Sequence, residues 1–469
     1  MARGSSFCHS GAGGKAQGGH ASGQRFAAAV RAGARRGYSE PMNMMDARVA
    51  QRQDNAVNAV SAAAAGGEAD PIRAGTPVFR RTNLAMLCAG FSTFALLYCV
   101  QPLLPAFSRQ FHVAPAEASM ALSVTTVLLA VALLAAGSLS EAWGRKPMMV
   151  AAMVAAALLN VLTAVMPAWH GVLLARALEG IALSGLPAIA MAYLSEEMHP
   201  RSISLAMGLY VSGSGLGGLA GRILTAVITD LTNWRVAVAT LGGLGLVSAA
   251  IFAWSLPPSR HFRPRSLSPW TLASGFAGHF RDVGLRWLFA EGFLIMGSFV
   301  TVYNYIGYRL LAPPYNLSQS VVGTVFSVYL VGIASSTWCG GLAGKLGRHR
   351  VFWVTIAVML TGALLTLVHN LAPMIAGIAL VTFGFFGAHS VASSWIGARA
   401  RQARAQAAAL YLFFYYLGSA TIGTIGGLFW SHAGWPGVVG LIACLLLAAL
   451  AIGLKLARLP PLPAPGRPG

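Results

Sequence analysis

The sequence predicts an all-α integral membrane protein, twelve transmembrane helices in two six-helix halves. Three observations lead there. Of 469 residues, 56% are apolar and only 10% are charged, against about 45–50% and about 25% in an ordinary soluble domain, so too few charges exist to coat a water-soluble surface of this size. Twelve apolar runs are each close to the length that crosses roughly 30 Å of hydrocarbon as a helix. Two sets of six runs carry the same landmarks at nearly constant spacing.

Residues 1–83 stand apart, rich in Gly, Ala, Ser and Arg with no acid before Glu40. They lack the apolar core of a secretory leader and read as a disordered cytoplasmic tail, with a mitochondrial transit peptide as the alternative. Translation starting at Met42, Met44 or Met45 is a second alternative. The apolar runs span 84–107, 118–140, 148–166, 171–195, 203–228 and 234–256, then 285–310, 320–343, 351–368, 372–395, 405–430 and 436–456. Lipid offers a bare backbone no hydrogen-bond partner, so each run is expected to be a helix. The organisation follows: a first bundle over 84–256, a cytoplasmic loop over 257–284, a second bundle over 285–457 and a short cytoplasmic tail over 458–469.

The charge balance of 33 basic and 13 acidic residues, +20 in all, does not point to nucleic acid. The basic residues sit in the tail and in alternate gaps, without a stacking platform or groove-reading helix beside them. One side of the membrane holds Arg80, Arg81, Arg145, Lys146, Arg201, Lys345, Arg348, Arg350, Arg399 and their neighbours, and the other only Arg109, Arg235 and Arg309. The positive-inside rule makes the basic side, with both termini, cytoplasmic. Five cysteines, Cys8, Cys88, Cys99, Cys339 and Cys444, show no metal or redox spacing and read as small buried apolar residues. No metal and no cofactor is expected.

The duplication is explicit. Gly137, Glu141 and Gly144-Arg145-Lys146 after run 2 return as Gly340, Gly344 and Gly347-Arg348-His349-Arg350 after run 8, an offset of 203. Tyr210, Gly213, Ser214, Gly218 and Gly221 in run 5 return as Tyr415, Gly418, Ser419, Gly423 and Gly426 in run 11, an offset of 205. With these landmarks the chain resembles the major facilitator superfamily from Leu84 to Leu456. The 137–146 loop is similar to that family's signature between spans 2 and 3, and Arg176-Ala-Leu-Glu179-Gly180 to its span 4 signature. Tyr98-Cys-Val-Gln101-Pro102, Tyr193-Leu-Ser-Glu196-Glu197, the run from Phe299 to Tyr308 and the stretch from Ala388 to Gly397 resemble bacterial inner-membrane members more narrowly. The resemblance implies a proton-coupled transporter working by alternating access, exporting a small organic molecule. It also implies that spans 1, 4, 7 and 10 line a central cavity. Two departures stand out: run 5 lacks the proline and the final glycine of the family's antiporter motif, with Arg222 following Gly221, and Gly344 replaces an acid in the second loop.

The candidate residues fall into four groups. Gly213, Gly217 and Gly221, four residues apart, share one helix face and permit close helix approach; the face reads as plain packing, as a seam on which one half rocks over the other, or as both together. Glu141 could latch the cytoplasmic side by facing the positive N-terminus of span 11, with Arg145 and Lys146 either fixing the loop or touching anionic lipid. Ionisable residues inside spans are costly, which makes Arg176, Glu179, Arg222 and Glu291 proton-coupling candidates. Arg176 and Glu179 are neighbours on one face, and an Arg-Glu-Arg cluster with Arg222 is expected. Glu291 has no partner in its own span and is the preferred proton carrier, with contact to Arg286 or headgroups as the alternative. Tyr98, Gln101, Tyr303, Asn304, Tyr305, His389, Tyr411 and Tyr415 are cavity candidates, each with helix packing as its bland alternative.

The expected partners are a small-molecule substrate, protons and membrane lipids, with the chain acting as a monomer. The nearest rival is a proton-coupled importer of a sugar or organic acid. A polytopic membrane enzyme would need a polar cluster at the bilayer surface, and Glu196, Glu197 and His199 are too sparse to supply one. No ring of charges or carbonyl filter marks a channel.

Overall fold

The computed structural model describes residues 71–260, 275–400 and 403–459. The tail before residue 71, the alternative start sites, much of the central loop and the end from residue 460 lie outside the described residues, as does Cys8. So do the side chains at 137, 138, 141 and 142, and with them the expected Glu141 latch. Eleven long apolar helices make up the rest: α1 Pro77–Phe111, α2 Pro115–Trp143, α3 Arg145–Val165, α4 Trp169–Glu197, α5 Ile203–Leu231, α6 Trp234–Ser255, α7 Val283–Leu311, α8 Gln319–Leu346, α9 Arg348–Leu365, α10 Leu371–Arg399 and α11 Arg404–Arg458. Among the described residues there is no strand, only a single bridge between Ile72 and Met198.

Helix ends follow local chemistry. Thr76 accepts from Phe79 N and Pro77 occupies the first turn, so α1 begins ahead of the apolar run at Leu84. Asn233, Asp282, Ser318 and Asn370 cap α6, α7, α8 and α10 through their side-chain oxygens. The repeated loop motif has one backbone answer in both halves. Gly144 (φ 92°) and Gly347 (φ 89°) take the left-handed region that lets α2 turn directly into α3 and α8 into α9.

The sequence resolves the last two crossings better than the helix boundaries do. α11 is 55 residues long, roughly 80 Å at 1.5 Å per residue, far beyond one bilayer. Gly434, with φ 58° and ψ −148°, breaks it next to Pro436. The arm before the break packs on α2 and α7, and the arm after it packs on α9, where Trp435 Nε1 donates to Thr366 Oγ1 at 3.0 Å.

Each half repeats one packing plan, α1 against α5 and α3 against α6 in the first, α7 against the first arm of α11 and α9 against its second arm in the second. The halves meet where α2 faces α11, α5 faces α8 and α1 faces α7. The surface is apolar, with Leu158, Val165, Leu174, Trp254 and Leu447 exposed, while Arg176, Glu179, Asn160 and Arg222 are buried. That distribution suits lipid outside and a polar interior. Cys88, Cys99 and Cys339 are buried as expected, whereas Cys444 is exposed, on the outward face of the second arm of α11.

Candidate functional site

The glycine pattern of α5 has a specific partner. A Cβ on Gly213 would come within 2.7 Å of the Leu87 carbonyl oxygen, one on Gly217 would collide with the Phe91 carbonyl, and one on Gly221 would lie 2.7 Å from Ala95 Cα. Leu87, Phe91 and Ala95 all belong to α1 of the same half. The three glycines therefore pack two helices within a bundle, and the expected sliding seam between halves is corrected. Between-half glycines are others: Gly427 of α11 lies flush on Ala116 of α2, and Gly323 of α8 on Ala226 of α5.

Hydrogen bonds across the halves gather at the end away from the basic gaps. Tyr308 OH bonds Ser108 Oγ at 2.7 Å and donates to the Leu104 carbonyl at 2.9 Å. Gln319 Nε2 donates to the Pro102 carbonyl at 2.6 Å, Ser320 Oγ to Asp230 at 2.6 Å, and Thr424 Oγ1 to Ser123 Oγ at 2.9 Å. Nearer the centre, Gln101 Nε2 donates to Asn304 Oδ1 at 2.8 Å. Gln101 belongs to α1 and Asn304 to α7, so this bond joins the two halves directly.

At the basic end the halves separate around a cavity of about 700 Å³. It runs from Ser204 and Leu205 at the start of α5 to Arg222, and its walls come from α1, α5, α7, α8, α10 and α11. Of the sequence candidates, Tyr98, Arg222, His389 and Tyr415 line it. Gln101 and Asn304 lie beneath it as the cross-half pair. Tyr303 bonds Thr382 at 2.7 Å and Tyr305 donates to the Gly423 carbonyl at 2.6 Å, so both tie helices together outside the lining. Tyr411 backs the wall, its hydroxyl 2.9 Å from His389 Nδ1. Sequence reasoning missed Tyr329 and Phe299, for aromatic residues in a lipid-spanning run carry no mark of the direction they face.

The charged residues divide. Arg176 and Glu179 form an ion pair of 2.7 Å with both side chains fully buried, and Arg176 also donates to the carbonyls of Leu96, Leu97 and Ala121. This pair staples α4 to α1 and α2. The expected Arg-Glu-Arg cluster is corrected: Arg222 stands apart, donating from Nε to Gln101 Oε1 at 2.7 Å and to the Gly218 carbonyl at 2.5 Å. Its guanidinium lies 4.2 Å from the Tyr98 ring centroid and 4.5 Å from that of Tyr329. Among the described residues no carboxylate is within ion-pairing distance of it.

Glu291 is 0% exposed and neither carboxyl oxygen has a hydrogen-bond partner. It faces Gly453 in the second arm of α11, beside Trp353 and Phe352, and does not line the cavity. The Tyr411 ring packs on Gly292, the next residue.

Arg145 settles between its two expected roles. It donates to both carboxyl oxygens of Glu196, at 3.2 and 2.6 Å, and to Ser140 Oγ, fixing the α2–α3 turn against the end of α4. Lys146 Nζ donates to the Leu256 carbonyl at 2.5 Å. Both therefore hold the loop to protein.

Comparison with known proteins agrees with this architecture. The model of the Major Facilitator Superfamily matches residues 86–315 and 288–469. The MFS-type transporter YybF of Bacillus subtilis is 52% identical over 387 residues, which cover 82% of this chain and 96% of that one. The inner membrane transport protein YnfM of Escherichia coli is also 52% identical over 387 residues, covering 82% and 93%. Among solved structures, the nucleoside transporter NupG superposes with a TM-score of 0.69 at 13% identity over 80% of this chain and 99% of that one. A bacterial homologue of the human lysosomal transporter Spinster, inward-facing and occupied, gives 0.65 at 12% over 82% and 98%.

Proposed function

The chain belongs to the major facilitator superfamily, a class of membrane transporters and not of enzymes, and on that premise we propose that it exports a small organic molecule from a bacterial cell by alternating access, driven by inward proton flow. One observation carries the reading. The cavity opens at the basic end and is closed at the other by hydrogen bonds that all cross between the halves. Rocking the halves about the Gln101–Asn304 level would exchange the open and closed ends. The positive-inside rule makes the basic end cytoplasmic, so this conformation faces inward, with both termini inside.

Glu291 is the proton carrier in this reading. A buried carboxyl without a donor is tolerated as the neutral acid and penalised as the anion, so rearrangement around it is coupled to proton release. The Tyr411 ring connects Gly292 to His389 at the cavity wall, giving a physical path between the two sites. The test is uptake into inverted membrane vesicles of a substrate found by screening dyes, drugs, pentoses and organic acids. An exporter fills such vesicles as protons leave and stops when a protonophore is added. Filling of right-side-out vesicles alone would replace export by proton-coupled import of a sugar or organic acid.

A further inference from the structure

Resting on the transport reading, we propose that the cavity is a site for small aromatic carboxylates, with the Arg222 guanidinium taking the carboxylate and the surrounding rings taking the body. Arg222 is 1% exposed yet is part of the cavity lining. Two hydrogen bonds, to Gln101 and Gly218, hold it in place, and a guanidinium carries five N–H donors. Donors remain for a ligand, in the planar fork that matches a carboxylate in a bidentate manner.

The charge needs a partner. A buried cation without a counter-ion is unfavourable, and the Tyr98 and Tyr329 rings compensate only in part through their faces. Among the described residues no Asp or Glu lines the cavity, so an organic cation would find only ring faces there and would meet the Arg222 charge. The remaining lining explains the body of the ligand. Phe299 and Phe385 stack at 3.8 Å with planes 10° apart, and Tyr415 lies beside Phe385 and against His389. Flat apolar surfaces in a cavity of about 700 Å³ accept a ring. The site is also wired to the closed end. Gln101 accepts from Arg222 and donates to Asn304 in the other half, so a carboxylate competes with the Gln101 oxygen and bears on the bond that joins the halves. An anion leaving the cell moves with the inside-negative potential, which favours this direction of transport.

The experiment uses the full chain in phosphatidylcholine nanodiscs, so that no anionic headgroup competes. Three probes share one ring and differ in charge: phenylacetate, phenylacetamide and phenethylamine. Equilibrium binding should favour phenylacetate by at least about tenfold. Arg222→Gln should lose at least about tenfold in phenylacetate affinity, and Gln101→Glu, which keeps Arg222 but supplies it with an internal carboxylate, should lose as much. Equal affinity for the three probes, no phenylacetate binding at millimolar concentration, or unchanged affinity in Gln101→Glu with wild-type melting would overturn the assignment. Those outcomes leave alternating access standing, because that reading is decided by the vesicle measurements.

Discussion

α5 and the first arm of α11 share five landmarks at the 205-residue offset, and the residue after the last of them differs. At the 205-residue offset, Gly213 and Gly418 both let a neighbour's carbonyl approach closely, that of Leu87 in α1 and that of Phe293 in α7. Gly221 and Gly426 are also close-packed, the first on the Ala95 backbone and the second on the Thr301 and Tyr305 side chains. The next position holds Arg222 in one half and Gly427 in the other. Arg222 fills the inner end of the cavity with a positive charge, and Gly427 brings α11 flush with Ala116 of α2 to close the far end. Duplication thus preserves the outer close approaches of this face, while its middle position differs, Gly217 against Ile422, and the next position carries Arg222 in one copy and Gly427 in the other.

The most severe way to break the comparison is to erase the difference. Gly427→Arg places a long side chain where Ala116 sits, and the sealed end cannot form; transport should be abolished. A cysteine pair, S123C/T424C, crosslinks readily when that end is sealed, and its crosslinking should collapse in the Gly427→Arg background. Retained transport would show that the seal is dispensable.

The next effect concerns coupling. Glu291→Gln should lower gradient-driven uptake into inverted vesicles by at least about tenfold, to the level seen with a protonophore, because the amide mimics the protonated acid permanently. Substrate binding at the cavity should change little, since Glu291 does not line it. Uptake that still follows the proton gradient would remove Glu291 from the mechanism.

A smaller effect separates packing from closure. Gly217→Ala drives a methyl into the Phe91 carbonyl, an overpacking worth about 1–3 kcal/mol, and should lower the melting temperature without altering S123C/T424C crosslinking in the folded fraction. Gly243→Ala in α6 meets nothing within 4 Å and should leave melting unchanged or raise it slightly, since alanine is the better helix former by about 0.5–1 kcal/mol. If Gly217→Ala instead shifted the crosslinking, the within-half assignment of the glycine face would fail.

The least effect is expected at the rim. Asp230→Asn keeps an oxygen that accepts from Ser320 but gives up the charge-assisted bond, at a solvent-exposed position where such bonds contribute little. Crosslinking should fall slightly, and less at high salt. A loss as large as that of Gly427→Arg would place the gate at the rim and not at the α2–α11 contact.

The residues show where legibility stopped. The chain announces its helices because an apolar run of sufficient length in lipid has one stable backbone form, and it announces its duplicated halves because glycine and loop motifs recur at fixed offsets. Gly144 and Gly347 are equivalent by spacing alone, each closing a repeated loop motif. Arg176 and Glu179 were readable as neighbours, since three residues along a helix fixes a shared face. Which helix that face meets is another matter. The Gly213–Gly217–Gly221 face could have met the opposite half and instead meets α1, Arg222 could have joined Glu179 and instead joins Gln101, and Tyr303 and Tyr305 could have lined the cavity and instead bind Thr382 and Gly423. Periodicity along one helix determines the angles between its side chains, whereas the rotation of that helix against five others is set by the packing of residues far apart in the chain, and only the assembled bundle decides it.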